Sequence, residues 1–141
     1  MRIKLNLPDT FIFSTEMAVR ITDLNYGNHL GNHALLGMVH EARMRFIKFC
    51  GYESELDFGG TALIMADSAI VYKAEGFYSD VLQIDVTPAE LHKYGFELYY
   101  RISNKQTGVE VAQAKTGMLC FNYQTRKIVP LPDAVRAKFE S

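Results

Sequence analysis

From Ser14 the hydrophobic and polar positions alternate. Thr15, Met17, Val19 and Ile21 fall on one face and Glu16, Arg20 and Thr22 on the other, the pattern of a half-buried strand. The period changes after Asn32, where Leu35, Leu36, Val39, Ala42, Phe46, Ile47 and Cys50 recur at helical spacing. Asn32 is placed to cap this helix, and Gly51 sits where a left-handed cap would end it. The helix so predicted runs for about five turns, and no other long helical pattern occurs.

From Gly51 to Gly60 the chain reads as a loop, and every later segment up to about Tyr123 reads as strand. Thr61 to Tyr72 is apolar on both faces at its centre, which predicts a middle strand covered on both sides. Leu82, Ile84 and Val86 share one face of Val81 to Thr87, and Phe96, Leu98, Tyr100 and Ile102 one face of the next strand. The stretch Ser103 to Gly108 carries the glycine expected of a hairpin. In Val109 to Phe121, the small Ala112 and Ala114 predict that the helix lies over this strand. A short amphipathic stretch, Asp133 to Phe139, follows Pro130 and Pro132.

These elements predict an α+β layer in which an antiparallel sheet wraps one long helix. One helix cannot cover both faces of a five-stranded sheet. An uncovered face or edge therefore meets solvent or another subunit, and the apolar Leu63, Ile64, Met65, Ile70 and Val71 favour a subunit.

Residues 1–141 show no Pro/Gly/Ser-rich linker and read as a single domain. A net charge of −1 with scattered basic residues argues against nucleic acid as a partner. The N-terminus lacks a basic region with a long apolar core, and no apolar run is long enough to span a bilayer. Cys50 and Cys120 show neither CxxC spacing nor the density of a disulfide scaffold, which suits buried thiols in a reducing compartment. A cytoplasmic protein without a membrane partner is expected.

Candidate chemistry concentrates between Thr22 and His33, where Asp23, Asn25, Asn28, His29, Asn32 and His33 crowd a glycine-punctuated turn running into the helix. The helix start leaves N–H groups unpaired around Leu30, Gly31 and Asn32 and carries a positive dipole end. His29 and His33, with Glu41 or His40, lack the one-face geometry of a metal site, and none is expected. Met38, Met44 and Met65 read as fillers of core gaps.

The order of strand, D-x-N-x-G-x-H-x-x-N turn and helix with Glu41-Ala42-Arg43, followed by Val71-Tyr72-Lys73-Ala74-Glu75-Gly76-Phe77-Tyr78-Ser79-Asp80, resembles the hotdog-fold acyl-CoA thioesterases of the 4-hydroxybenzoyl-CoA thioesterase type. The likeness runs from about Ser14 to Pro132 and includes Thr107-Gly108 and the closing Phe121 to Lys127. It implies a five- or six-stranded antiparallel sheet around one helix, in a homodimer or homotetramer with the active site at the subunit interface. It implies hydrolysis of an acyl-CoA or related pantetheine thioester, with coenzyme A entering only as part of the substrate and no separate cofactor. One departure matters. Where the best-studied branch has two acids separated by one residue, this chain has Asp23 and Asn25, and an amide neither attacks a thioester nor takes a proton near neutral pH.

The resemblance places the carbonyl-polarising donor on Gly31. Asp23, Glu41 and His29 are then the candidates for activating water, and Asn25 for orienting the water or the carbonyl. Glu41 lies about 12 Å along the helix from His33 and would reach the slot only across a subunit boundary. Asp67, within an apolar strand, is a further acid expected to be buried. Each has a plainer reading: Asp23 as a turn cap, Asn25 as a loop brace, His29 as a loop histidine, and Glu41 in a salt bridge with Arg43 or Arg45. Lys73, Lys93, Arg101, Arg126 and Lys127 are possible phosphate anchors. Two other functions fit the turn: an enoyl-CoA hydratase using Asp23 and His29, and a non-catalytic acyl-thioester binder in which Asn25 marks a lost acid.

Overall fold

The computed structural model describes residues 2–140; Met1 and Ser141, which the single-domain reading also includes, lie outside the described residues. Strand β1 (Phe13–Ala18) leads through a single 3-10 turn (Ile21–Asp23) to helix α1 (Asn32–Phe49). Strands β2 (Ala62–Tyr72), β3 (Val81–His92), β4 (Gly95–Asn104), β5 (Glu110–Asn122) and β6 (Lys127–Ile128) follow, and helix α2 (Asp133–Glu140) closes the chain. The strands form one antiparallel sheet in the order β1-β3-β4-β5-β2, with β6 also paired to β5. This is the expected sheet around one long helix, with six strands. No described helix is long and apolar enough to cross a membrane.

Helix α1 starts at Gly31, whose carbonyl accepts the N–H groups of Ala34 and Leu35, both at 3.1 Å. Asn32, expected as the cap, is instead the first helical residue. Leu35, Met38, Val39, Ala42, Phe46 and Ile47 are buried at spacings of three and four. Leu36, expected on this stripe, is 50% exposed because it sits about a third of a turn away from Leu35. Gly51 ends the helix with φ +95°, a left-handed conformation that glycine adopts without strain.

The inner face of the sheet matches the alternation. Leu82, Ile84, Val86, Leu98, Tyr100, Ile102, Ala112 and Ala114 are fully buried there. The backbone of α1, however, comes closest to β1 and β3 rather than to β5. Longer side chains bridge the gap to the other strands, with Arg43 of α1 reaching the Tyr100 hydroxyl on β4. Helix α2 closes one end of the core, where Phe139 packs on the rings of Phe46, Phe58 and Phe96. Phe11, ahead of β1, lies under the Arg101 guanidinium, so the N-terminal segment covers part of the outer face.

Three further expectations change. The strand pattern that begins at Thr15 ends at Ala18, and Ile21 lies in the 3-10 turn, 66% exposed. The segment Thr61 to Tyr72 is an edge strand, not a middle one, and its centre from Met65 to Ser68 is exposed. Its apolar composition misled because a covered strand and an edge strand prepared for a partner read alike. A bulge between Met65 and Asp67 shifts the register there and turns Asp67 outward. Asp67 is thus not buried: it binds the Lys115 ammonium at 3.0 Å and the Gly117 N–H at 3.1 Å at the surface.

Candidate active site

The turn before α1 is tied down at both ends. Asp23 Oδ2 accepts the Arg20 N–H at 2.8 Å, which closes the 3-10 turn. Leu24 and Leu30 form an isolated bridge, and the Leu30 N–H donates to the Gly76 carbonyl at 2.7 Å. Glycine eases that approach, since a Cβ on residue 76 would lie a tight 3.2 Å from Leu30 Cβ. The segment after β2 is thereby laid beside the turn, and Glu75 comes with it.

Two clefts flank the helix start. The first, about 660 Å³, is lined by Asp23, His33 and Glu41 with Glu16, Arg20 and Arg45. The second, about 840 Å³, is lined by Asn25, Tyr26, His29, Asn32, His33, Tyr72, Lys73 and Glu75. The structure thus divides the predicted residues: Asp23 and Glu41 share one cleft, Asn25 and His29 the other, and His33 borders both.

In the first cleft the acids are engaged. Asp23 is 6% exposed and its carboxylate is held by Arg20, while Glu41 pairs with Arg45 Nε at 2.8 Å. Arg45 in turn bonds Thr15 Oγ1 and the Glu16 carbonyl, so this cluster clamps α1 to β1.

Backbone donors at the helix start are engaged unequally. The Gly31 N–H, expected to receive a carbonyl oxygen, donates to the Asp23 carbonyl at 2.9 Å, and Leu30 N–H is taken by Gly76. Among the described residues, the N–H groups of Asn32 and His33 have no acceptor, and both residues line the second cleft. Of the donors expected around Leu30, Gly31 and Asn32, that of Asn32 stays open and is joined by His33, while the donor the resemblance placed on Gly31 is taken because the turn folds back onto its own Asp23.

Beside these donors runs a chain of polar groups. Asn25 Oδ1 accepts the Gly27 N–H at 2.8 Å, which leaves its Nδ2 to face His29 Nδ1 at 3.4 Å. His29 Nδ1 is therefore an acceptor and the ring proton sits on Nε2, which lies 3.9 Å from Glu75 Oε1. An imidazole with one nitrogen toward a carboxylate and the other meeting only a long amide contact is the arrangement of an oriented general base. The ring is part-exposed at the cleft, within reach of water.

Glu75 and His33 were missed as site residues. Glu75 stands far from the turn in sequence, and only the Leu30–Gly76 bond brings it near. His33 belongs to the polar turn, but nothing in the sequence shows that it borders both clefts. Among the described residues, no group of three or more His, Cys, Asp or Glu is placed to hold a metal ion.

Among similar proteins, a 1,4-dihydroxy-2-naphthoyl-CoA hydrolase of Synechococcus elongatus is 28% identical over 127 residues, covering 88% of this chain and 92% of the relative. A crystal structure of a 1,4-dihydroxy-2-naphthoyl-CoA thioesterase from Synechocystis superposes with a TM-score of 0.74 at 22% identity, covering 92% of this chain and 96% of that one. A hypothetical protein from Thermus thermophilus gives a TM-score of 0.80 at 17% identity, with 90% and 96% covered. The likeness to these structures is one of fold, the one the turn and helix motifs implied. The sequence profile of the Thioesterase-like superfamily matches residues 19–139, a span running from the end of β1 through both clefts to α2, and the chain belongs to that superfamily.

Proposed function

We propose that this chain hydrolyses acyl-CoA thioesters and that the reaction takes place in the second cleft. The observation that carries the reading is the juxtaposition there of two unengaged N–H groups, of Asn32 and His33, with the Asn25–His29–Glu75 chain. The two N–H groups receive the thioester oxygen as it gains negative charge, each donor being worth roughly 3 kcal/mol in the transition state. A water that displaces the long Asn25 Nδ2 contact at His29 Nδ1, and is itself held by that amide, attacks the carbonyl carbon and gives its proton to His29. Glu75 holds the resulting imidazolium. Collapse of the tetrahedral adduct breaks the C–S bond, and the thiolate takes the proton from His29, leaving a free acid and a thiol. Asp23, Gly31 and Glu41 brace the site: the first two close the turn on which Asn25 and His29 stand, and the third clamps α1.

Of the possible phosphate anchors, Lys73 lines the same cleft as Asn25 and His29. Arg101 is held by Asp85 and stacked on Phe11, while Arg126 and Lys93 lie over the rings of Phe121 and Tyr94. We assign Lys73 to the nucleotide end of the substrate. The homodimer or homotetramer is part of the same reading. The unpaired edge of β2 and the exposed Leu36, Met65 and Tyr72 beside it supply an apolar border that a second copy would cover. A cytoplasmic location agrees with the free, buried Cys50 and Cys120.

A hydratase would require Asp23 and His29 to converge on one water, whereas these residues line separate clefts. The test is thiol release by the purified protein from short, long and aromatic acyl-CoA esters. Release well above the uncatalysed rate is expected. Binding of acyl-CoA with no release across the panel would leave a binder and overturn the proposal.

A further inference from the structure

Beyond the second cleft, α1 and β2 continue side by side. His33 and Tyr72 border the cleft, and one helical turn further on, Leu36, Val39 and Ile70 wall a slot of about 240 Å³. Its walls are apolar, but its far end is not. Arg43, 6% exposed, lines the slot together with Ser68 and Thr116, and the Thr116 hydroxyl bonds the Tyr100 hydroxyl at 2.8 Å.

Arg43 has donors to spare. Nε reaches Glu55 Oε2 at 3.4 Å and Nη1 the Tyr100 hydroxyl at 3.4 Å, both long, and Nη2 donates to no described residue. Among the described residues no carboxylate lines the slot; Lys115 and His40, which do, are paired with Asp67 and Glu55. The unpaired Nη2 opens onto the slot, where it is within reach of water and offers a charged donor to an acceptor that enters. The ion pair with Glu55 explains why the charge is tolerated, and it leaves the open Nη2 without a role.

From Asn32 to Arg43 the helix advances about 16 Å, and the arginine side chain leans back toward the helix start. A thioester with its carbonyl at the Asn32 and His33 N–H groups would therefore lay its acyl group along the groove with its far end in the slot. We propose that the acyl group this protein accepts carries a hydrogen-bond acceptor at that far end, a carboxylate or a hydroxyl or carbonyl oxygen, and that Arg43 Nη2 is the donor that selects it. The inference rests on the thioesterase reading and adds the class of substrate to it. A charge-assisted bond of this kind rewards the acceptor-bearing chain, and a plain alkyl end leaves the donor facing hydrocarbon.

The experiment compares kcat/KM for CoA esters of one chain length with a methyl, a hydroxyl or a carboxylate end. The wild-type protein is expected to favour the carboxylate or the hydroxyl ester over the alkyl ester by about tenfold or more, and the better of the two identifies the terminus. Arg43→Met is expected to erase the preference, bringing kcat/KM for the carboxylate and hydroxyl esters down to that for the alkyl ester. Tyr100→Phe, nearly isosteric, is expected to narrow the preference because the guanidinium loses the hydroxyl that helps hold it in place, and it provides the second variant if Arg43→Met does not fold. Equal rates on the three esters, or a preference that survives in folded Arg43→Met, would overturn the inference and leave the thioesterase reading intact. No thiol release from any ester, these or others, would remove both.

Discussion

Nδ2 of Asn25 lies 3.4 Å from Nδ1 of His29, and the Gly27 N–H on Asn25 Oδ1 fixes which end of the amide faces the ring. The residue that stands where relatives of the 4-hydroxybenzoyl-CoA thioesterase type carry an acid thus dictates the tautomer of its neighbour. Replacing Asn25 by Leu keeps the side-chain volume and removes this orientation. The expected result is a fall in kcat of about a hundredfold with KM little changed, the cost of a misplaced base. Steady-state kinetics on the best acyl-CoA ester check it.

Lys73 faces the second cleft. If it anchors a phosphate, Lys73→Ala raises KM for an acyl-CoA about tenfold, an exposed charged hydrogen bond being worth roughly 1.5 kcal/mol. KM for the matching acyl-pantetheine, which lacks the nucleotide, is expected to stay unchanged. Parallel kinetics on the two esters decide the point.

A Cβ on Gly31 would lie 2.6 Å from His33 Cε1 and 2.7 Å from its Nδ1. The Gly31 backbone has φ −78°, which alanine adopts freely, so Gly31→Ala must be relieved by swinging the His33 ring out of place. The expected protein is folded, with a melting temperature within a few degrees of wild type, and its kcat is lowered because the ring at the mouth of both clefts has moved. Calorimetry and kinetics on the same preparation separate the two effects.

Burial first, then the hydrogen bond to Glu90 and the charges of Glu90 and Glu97, push the Tyr99 phenol from its ordinary 10 up to about 12. The Lys115 ammonium is also raised, first by its bond to Asp67. Both groups hold protons more tightly in the folded than in the unfolded state. Their stabilisation is present in full below the unfolded values and is lost as pH rises through the folded ones. Chemical denaturation between pH 9 and 12 is therefore expected to show stability falling with pH, and Tyr99→Phe is expected to flatten that slope while leaving the Lys115 share.

How far the sequence could be read depended on how local each feature is. The inner strand faces and the span of α1 were legible because Leu82, Ile84, Val86 and the spacing from Leu35 to Ile47 report local geometry directly. The edge position of β2 was not legible, since an apolar strand awaiting a partner looks like one already covered. At the site, the turn from Asp23 to His33 was found from its polar density. Its hydrogen bonding was not, because the Gly31 and Leu30 donors are engaged by backbone carbonyls that any residues could supply. Glu75 and the buried Arg43 were invisible as functional groups for a related reason: the Leu30–Gly76 bond brings Glu75 to the turn, and the slot beside Arg43 is completed by residues of β2 and β5, all distant in the chain.

The most direct test compares His29→Ala with Glu41→Ala on the best acyl-CoA ester, with folding of both variants confirmed by melting. The second-cleft account expects hydrolysis to fall by a factor of about 100 to 10,000 in His29→Ala, the contribution of a general base, and to stay within a few-fold of wild type in Glu41→Ala. The reverse result, activity kept without His29 and lost without Glu41, would place the reaction in the first cleft and contradict the account.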